Sequence, residues 1–286
     1  MQWRGRRQSG NVDDQRGSGG GGGMGGFALK GGIGTIAVVV VLSLLTGNNP
    51  LEILSQMNGG GGGVATEQTD YQPSAQEDSL AQFVRVVLAD TEDVWHKLIK
   101  DYREPTLTLF TGGVQSGCGS ASSATGPFYC SEDEKVYIDL SFYQELQDRF
   151  DAPGDFAQAY VIAHEVGHHV QHLMGITDKV HASRGDLSEA EYNKMSVKLE
   201  LQADFFAGVW AHYAQAMGNI IDPGDIDEAL NAASAIGDDR LQKQAQGQVV
   251  PDSFTHGTSA QRMKWFKKGY ETGDINQGDT FNAPSL

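Results

Sequence analysis

The chain has 286 residues, two cysteines and a formal net charge of −16, a length that accommodates one or two domains. Residues 1–32 carry five Lys/Arg against two Asp, a net of +3, which leaves −19 for the remainder. An acidic body of that size disfavours nucleic acid as a partner and makes a basic or polar substrate easier to attract than an acidic one.

In chain order, residues 1–32 are rich in Gly and Arg with almost no apolar content, a composition expected to stay disordered. Ile33 to Leu45 is apolar but for Gly34, Thr35 and Ser43. Counted from Gly31 to Gly47 the run spans about 17 residues, the lower limit for a spanning helix. A cleavable signal peptide is the alternative, but no small-x-small site follows Leu45, so residues 33–47 are expected to be an uncleaved transmembrane anchor. Arg4, Arg6, Arg7, Arg16 and Lys30 precede it, which predicts a cytoplasmic N-terminus and an extracytoplasmic remainder. Residues 48–78, with the glycine tract Asn58–Gly63, read as a linker. A folded domain is expected over 79–286.

Ser79 to Gln82 reads as a capping box, opening a helix whose apolar period runs from Leu80 to about Asp101. Thr106–Phe110 and Lys135–Leu140 read as strands, the second with Val136, Ile138 and Leu140 on one face and Tyr137 and Asp139 on the other. The loop between them holds Cys118 and Cys130, whose spacing fits no usual zinc motif. In an exported domain they are expected to form a disulfide, stabilising by up to about 3 kcal/mol in the chain-entropy account. Helices are then predicted from about Pro153 to Met174, from a capping box at Ser188–Glu191 to about Met217, over Asp225–Gln246 and over Thr258–Thr272. The fold class is α+β: a small sheet followed mostly by helices. The strand before the Pro153–Met174 helix is placed to take an extended peptide by edge addition.

That helix carries His164, Glu165, Val166, Gly167 and His168, the HExxH signature of zinc-dependent peptidases. Residues four apart share a helix face, so both imidazoles reach one ion. Glu165 sits one residue round, where it takes a proton from a metal-activated water without competing as a ligand. Phe156, Ala159, Tyr160, Ala163, Gly167, Val170 and Leu173 keep helical spacing around the motif. A catalytic zinc needs a third protein ligand. His172 would have to wrap three turns of one helix round one ion. The position of a metzincin histidine is Met174, and that of its glycine is Gln171. Glu200, on the helix opened at Ser188, is therefore the expected ligand. Asp204 lies one turn later and is placed to accept the second N–H of a ligating histidine. His169 and His172 are expected to support the site or lie on the surface.

The segments 117–130 (GCGSASSATGPFYC), 136–142 (VYIDLSF), 163–171 (AHEVGHHVQ), 199–212 (LELQADFFAGVWAH) and 253–266 (SFTHGTSAQRMKWF) resemble the bacterial neutral zinc metallopeptidases, membrane-anchored relatives of thermolysin-like zincins. With the N-terminal anchor these segments cover nearly the whole chain. The resemblance implies a zincin-like domain, Zn²⁺ held by His164, His168 and Glu200, and Glu165 as catalytic base. Many members of that family carry cysteines at the positions of Phe205 and Gly278, and this chain has lost both.

The expected function is zinc-dependent endopeptidase action on proteins or peptides outside the cytoplasmic membrane. A non-catalytic zinc-stabilised binding factor, or a zinc hydrolase of cell-wall peptide, is the alternative. An oxyanion donor is also needed, and His256 or Arg262 could supply it. Equally, Thr255–Ser259 could only cap the last helix, with Arg262 on its surface. Tyr137 and Tyr143, beside a strand, read mainly as packing.

Overall fold

The computed structural model describes residues 1–17 and 71–286. The expected anchor at 33–47 and most of the linker lie outside the described residues. Among those described, no helix is long and apolar enough to cross a membrane.

A four-stranded sheet has the order β1 (Val12–Asp14), β2 (Thr106–Phe110), β6 (Lys135–Asp139), β5 (Phe128–Cys130). The first three are parallel and β5 runs antiparallel to β6. A hairpin, β3 (Gly113–Ser116) with β4 (Gly119–Ser122), lies between β2 and β5 in sequence, and the Cys118–Cys130 disulfide ties it to β5. Val136 and Ile138 of β6 join the main core, while Tyr137 packs with Phe110 and Cys130 in a smaller cluster on the other face, as the period-2 pattern predicts.

The expected disorder of 1–32 is wrong for residues 1–17. These have few apolar side chains, but β1 extends the sheet and Arg6 and Arg7 pair with Asp90 and Glu92. Composition weighs a segment alone and does not see such partners. The first helix also begins earlier than the Ser79 capping box predicts. α1 spans Ala75–Leu98, because Ser74 and Glu77 form the box that caps it. β6, which precedes the motif helix in the predicted order, is flanked on both sides, so the edges of the sheet are β5, beside β6, and β1 at the far side.

The helices are α2 (Ser141–Asp148), α3 (Asp155–Leu173), α4 (Ile176–Ala182), α5 (Glu189–Gly218), α6 (Asp225–Ala235), α7 (Asp238–Gln246) and α8 (Ser259–Thr272). The predicted helix over 225–246 is two helices broken at Ile236–Gly237. The Ile236 carbonyl accepts from Arg262 and the Asp238 N–H donates to Gly257, so tertiary partners replace the intrahelical bonds there. Helices α3 and α5 make the largest contributions to the core, with Phe156, Tyr160, Phe206 and Trp210, and Phe266 of α8 packs with them. At the α5–α8 crossing the backbones touch. A Cβ on Gly208 would lie 2.0 Å from the Phe266 carbonyl oxygen, and one on Gly269 would lie 2.0 Å from that of Phe205. Gly269→Ala should therefore cost about 1–3 kcal/mol through overpacking. Denaturant unfolding reads this, and an unchanged midpoint would show that the crossing relaxes freely.

Phe205 and Gly278 are neighbours. A Cβ at 278 would lie 2.6 Å from Phe205 Cδ1. The ring fills space beside a residue without a side chain, so the two positions suit each other without a bridge.

Candidate active site

α3 and α5 cross closely enough that a Cβ on Gly167 would meet the Ala203 carbonyl oxygen at 3.0 Å. That approach sets Glu200 and Asp204 of α5 beside the two histidines of α3. His164 Nε2 lies 3.1 Å from Glu200 Oε2, and His168 Nε2 lies 3.4 Å from Glu200 Oε1. One ligand atom from each of the three residues lies within 4.8 Å of the other two. Two imidazole nitrogens and a carboxylate oxygen form a donor set suited to zinc, so the residues fit the ion that the sequence implies.

Each imidazole is held from behind. His164 Nδ1 lies 2.9 Å from Asp204 Oδ1, and His168 Nδ1 lies 2.9 Å from Gln171 Oε1. Acceptors there draw the ring proton to Nδ1 and leave Nε2 as the ligating atom. Asp204 is fully buried and has two further partners. Tyr160 donates to Oδ1 at 2.5 Å, and Arg262 donates to Oδ2 at 2.8 Å and to Oδ1 at 3.0 Å. Arg262 is therefore not on the helix surface. It is 2 % exposed and committed to Asp204. Sequence reasoning alone misses Tyr160 and Gln171 as supports of the site. Their signal is spacing: Tyr160 stands four residues before His164 and Gln171 three after His168, and such residues share a helix face.

The three ligand candidates line a cleft of about 430 Å³ together with Glu165, Tyr129, Phe142, Phe150 and His256. Burial pushes the Glu165 carboxyl up, towards the range useful for a general base. His256 enters from the loop before α8. Asp238 Oδ2 accepts from the backbone N–H of Thr255, His256 and Gly257, while Oδ1 lies 3.2 Å from His256 Nδ1. Burial disfavours the imidazolium, but the charge of Asp238 outweighs it and raises the pKa. Tyr137 and Tyr143 do not line the cleft: the Tyr137 hydroxyl donates to Asp133 and Tyr143 is buried in the core. His169 is buried between the Arg103 carbonyl and the Tyr129 hydroxyl, and His172 lies near Glu134 and Asp178.

Without metal these groups form an ion-pair cluster. Burial opposes charge on His164, but Asp204 and Glu200 overcome it and raise its pKa to about 9. Burial also opposes the Glu200 carboxylate, yet His168 and His164 hold its pKa well below the ordinary value of 4.5. A raised histidine stabilises fully below its unfolded pKa of 6.5 and loses that stability as pH rises through 9. A depressed carboxylate stabilises above 4.5 and loses it as pH falls. Metal-free protein should therefore weaken between pH 6.5 and 9, by roughly 3 kcal/mol if His164 dominates. Zinc should flatten or reverse the trend, because ligation needs neutral imidazole. Urea unfolding with and without zinc measures this, and a metal-free stability that rises over that interval would contradict the assignment.

The family pattern described as "Putative neutral zinc metallopeptidase" matches residues 1–281. The protein YpfJ of Escherichia coli (strain K12) is 51 % identical over 287 residues, covering 98 % of this chain and 99 % of that one. Mb2605 of Mycobacterium bovis is 46 % identical over 203 residues, 68 % of each chain. No solved structure matches. With both the pattern and a full-length relative in agreement, the chain belongs to the family described as "Putative neutral zinc metallopeptidase".

Proposed function

We propose that the protein is a zincin-like zinc endopeptidase that hydrolyses peptide bonds in the cleft between α3, β5 and the loop before α8. The observation that carries this reading is the convergence of His164, His168 and Glu200 on one point, with Glu165 beside them in an open cleft. A site serving structure alone has no need of a base and is normally closed by a fourth protein ligand.

Phe128 and Tyr129 of the edge strand line the cleft, so an extended peptide adds to β5 by backbone hydrogen bonds. When bound at the three ligands, zinc polarises the scissile carbonyl and makes water nucleophilic near neutral pH. Glu165 takes a proton from the water as its oxygen attacks the carbonyl carbon, and returns it to the leaving nitrogen as the C–N bond breaks. His256, whose imidazolium form is favoured by the neighbouring Asp238 carboxylate, donates to the oxygen on which negative charge develops. Arg262 acts through Asp204 and not on the substrate. His256→Ala should lower kcat by about 10²–10³ with a smaller change in KM. Equal losses in His256→Ala and a remote surface variant would remove it from the mechanism.

A broad peptide library incubated with the purified zinc-loaded protein, and separately with chelated protein, tests the reading by mass spectrometry of the products. Cleavage that disappears on chelation and returns with zinc supports it. No cleavage in either sample, or equal cleavage in both, overturns it.

A further inference from the structure

His164 and His168 are held by groups of different kinds. Behind His164 stands the Asp204 carboxylate, which accepts a hydrogen bond whichever way it turns. Behind His168 stands the Gln171 side-chain amide, which accepts at its oxygen and donates at its nitrogen. Turned one way, this amide draws the ring proton to Nδ1 and leaves Nε2 for the metal. Turned the other way, its NH2 group faces Nδ1 and the proton moves to Nε2. The direction of one amide therefore decides whether His168 ligates through Nε2.

That direction is set beyond α3. Gln171 Nε2 donates to the Leu199 carbonyl at 2.6 Å and to Gln202 Oε1 at 3.1 Å. Gln202 Nε2 in turn donates at 2.7 Å to the carbonyl of Gly278, in the segment that follows α8. A main-chain carbonyl accepts and cannot donate, so the chain of bonds has one sense. Reversing Gln202 would set its oxygen against the Gly278 carbonyl, and reversing Gln171 would set its oxygen against that of Leu199. Gln171 is 0 % and Gln202 5 % exposed, so bulk water cannot relieve either clash, and a buried polar group left unpaired is costly. The accepting segment is itself fixed on α5. Thr280 Oγ1 donates to the Lys198 carbonyl at 2.6 Å, and Lys198 Nζ to the Phe281 carbonyl at 3.1 Å.

We propose that Gln202 is a positioning residue of the metal centre. Held by the Gly278 carbonyl, it fixes the Gln171 amide, and through that amide the proton on His168 Nδ1. The segment after α8 is thereby a working part of the zinc site. This rests on the zinc site of the reading above and not on peptide hydrolysis, so its readouts need no activity.

Zinc affinity of the purified full chain, read by competition with a chelator, tests the relay as a double-mutant cycle. Methionine in place of glutamine keeps the length and removes the amide. Gln171→Met should weaken zinc binding about 10–100-fold, and Gln202→Met about tenfold. The double variant should bind within about twofold of Gln171→Met alone, because the second cut falls on a chain already broken. Gln202→Met with wild-type affinity, or a double variant showing the product of the two losses, overturns the relay. The unsubstituted protein gives a second test that needs no variant to fold. In the zinc-loaded chain, isotope-labelled at histidine nitrogen, proton–nitrogen correlation spectra should show both metal-bound imidazoles protonated on Nδ1. A metal-bound imidazole protonated on Nε2 overturns the proposal. Wild-type protein that binds no zinc overturns the site itself, which separates that failure from failure of the relay.

Discussion

Glu165→Gln should lower peptide hydrolysis by about 10²–10⁴ while leaving zinc content and thermal stability intact. Glutamine keeps the shape and loses only the ability to accept a proton as a base. The native carboxyl is buried and its pKa is raised by that burial, so removing its charge relieves a desolvation cost and should not weaken the fold. The two histidines and Glu200 stay in place, because the hydrogen bonds that orient them run to one another, Asp204 and Gln171. Metal content by mass spectrometry, Tm and a fluorogenic peptide assay give the three readouts. Undiminished hydrolysis would remove Glu165 from the chemistry. Coupled loss of zinc and activity would mean that it holds the site together.

The second large effect belongs to Arg262. Arg262→Met removes the guanidinium bonded to Asp204, a carboxylate with no exposed surface. Burial opposes its charge, and Arg262 is the main influence holding its pKa below the usual range. Breaking a buried pair on one side costs about 3–5 kcal/mol. Asp204 would then regain its neutral form, or draw more on Tyr160 and His164. A protonated Asp204 no longer fixes the His164 Nδ1 proton, so zinc affinity should fall about 10–100-fold as well. Arg262→Met combined with Asp204→Leu should recover much of the fold stability, since paired replacement of buried charges is often neutral. Its zinc affinity should stay low. Urea midpoints and competition with a zinc chelator separate these quantities. A single variant with wild-type stability and affinity would show that the network is redundant.

The long helices α3, α5 and α8 are legible in the sequence because their signals are local, as with the box at Ser188–Glu191 that stands at the start of α5. The short helices α2 and α4 carry too few turns to show a period and are not predicted. The candidate ligands are legible because HExxH and ExxxD are spacings on single helices. What the sequence hides depends on contacts across the fold. Arg262 carries no mark of burial in the run QRMKW, and only the approach of α5 to α8 places it on Asp204. Strands β1 and β5 are three residues each, too short for a period-2 pattern to emerge. The Asp238 that fixes His256 lies 18 residues away behind a helix break.

The pairing of Val12 with Leu107 also sets a clock on biosynthesis. β1 leaves the ribosome well before β2, and its partner strand is complete only once Phe110 has been added. At about 5–20 residues per second the nascent strand waits roughly 5–20 s before β2 exists. During that interval the apolar run has emerged and the surface that captures β1 has not. Factors that bind nascent apolar segments therefore get the first opportunity at this chain, and the speed of translation between residues 47 and 107 becomes a determinant of where it folds.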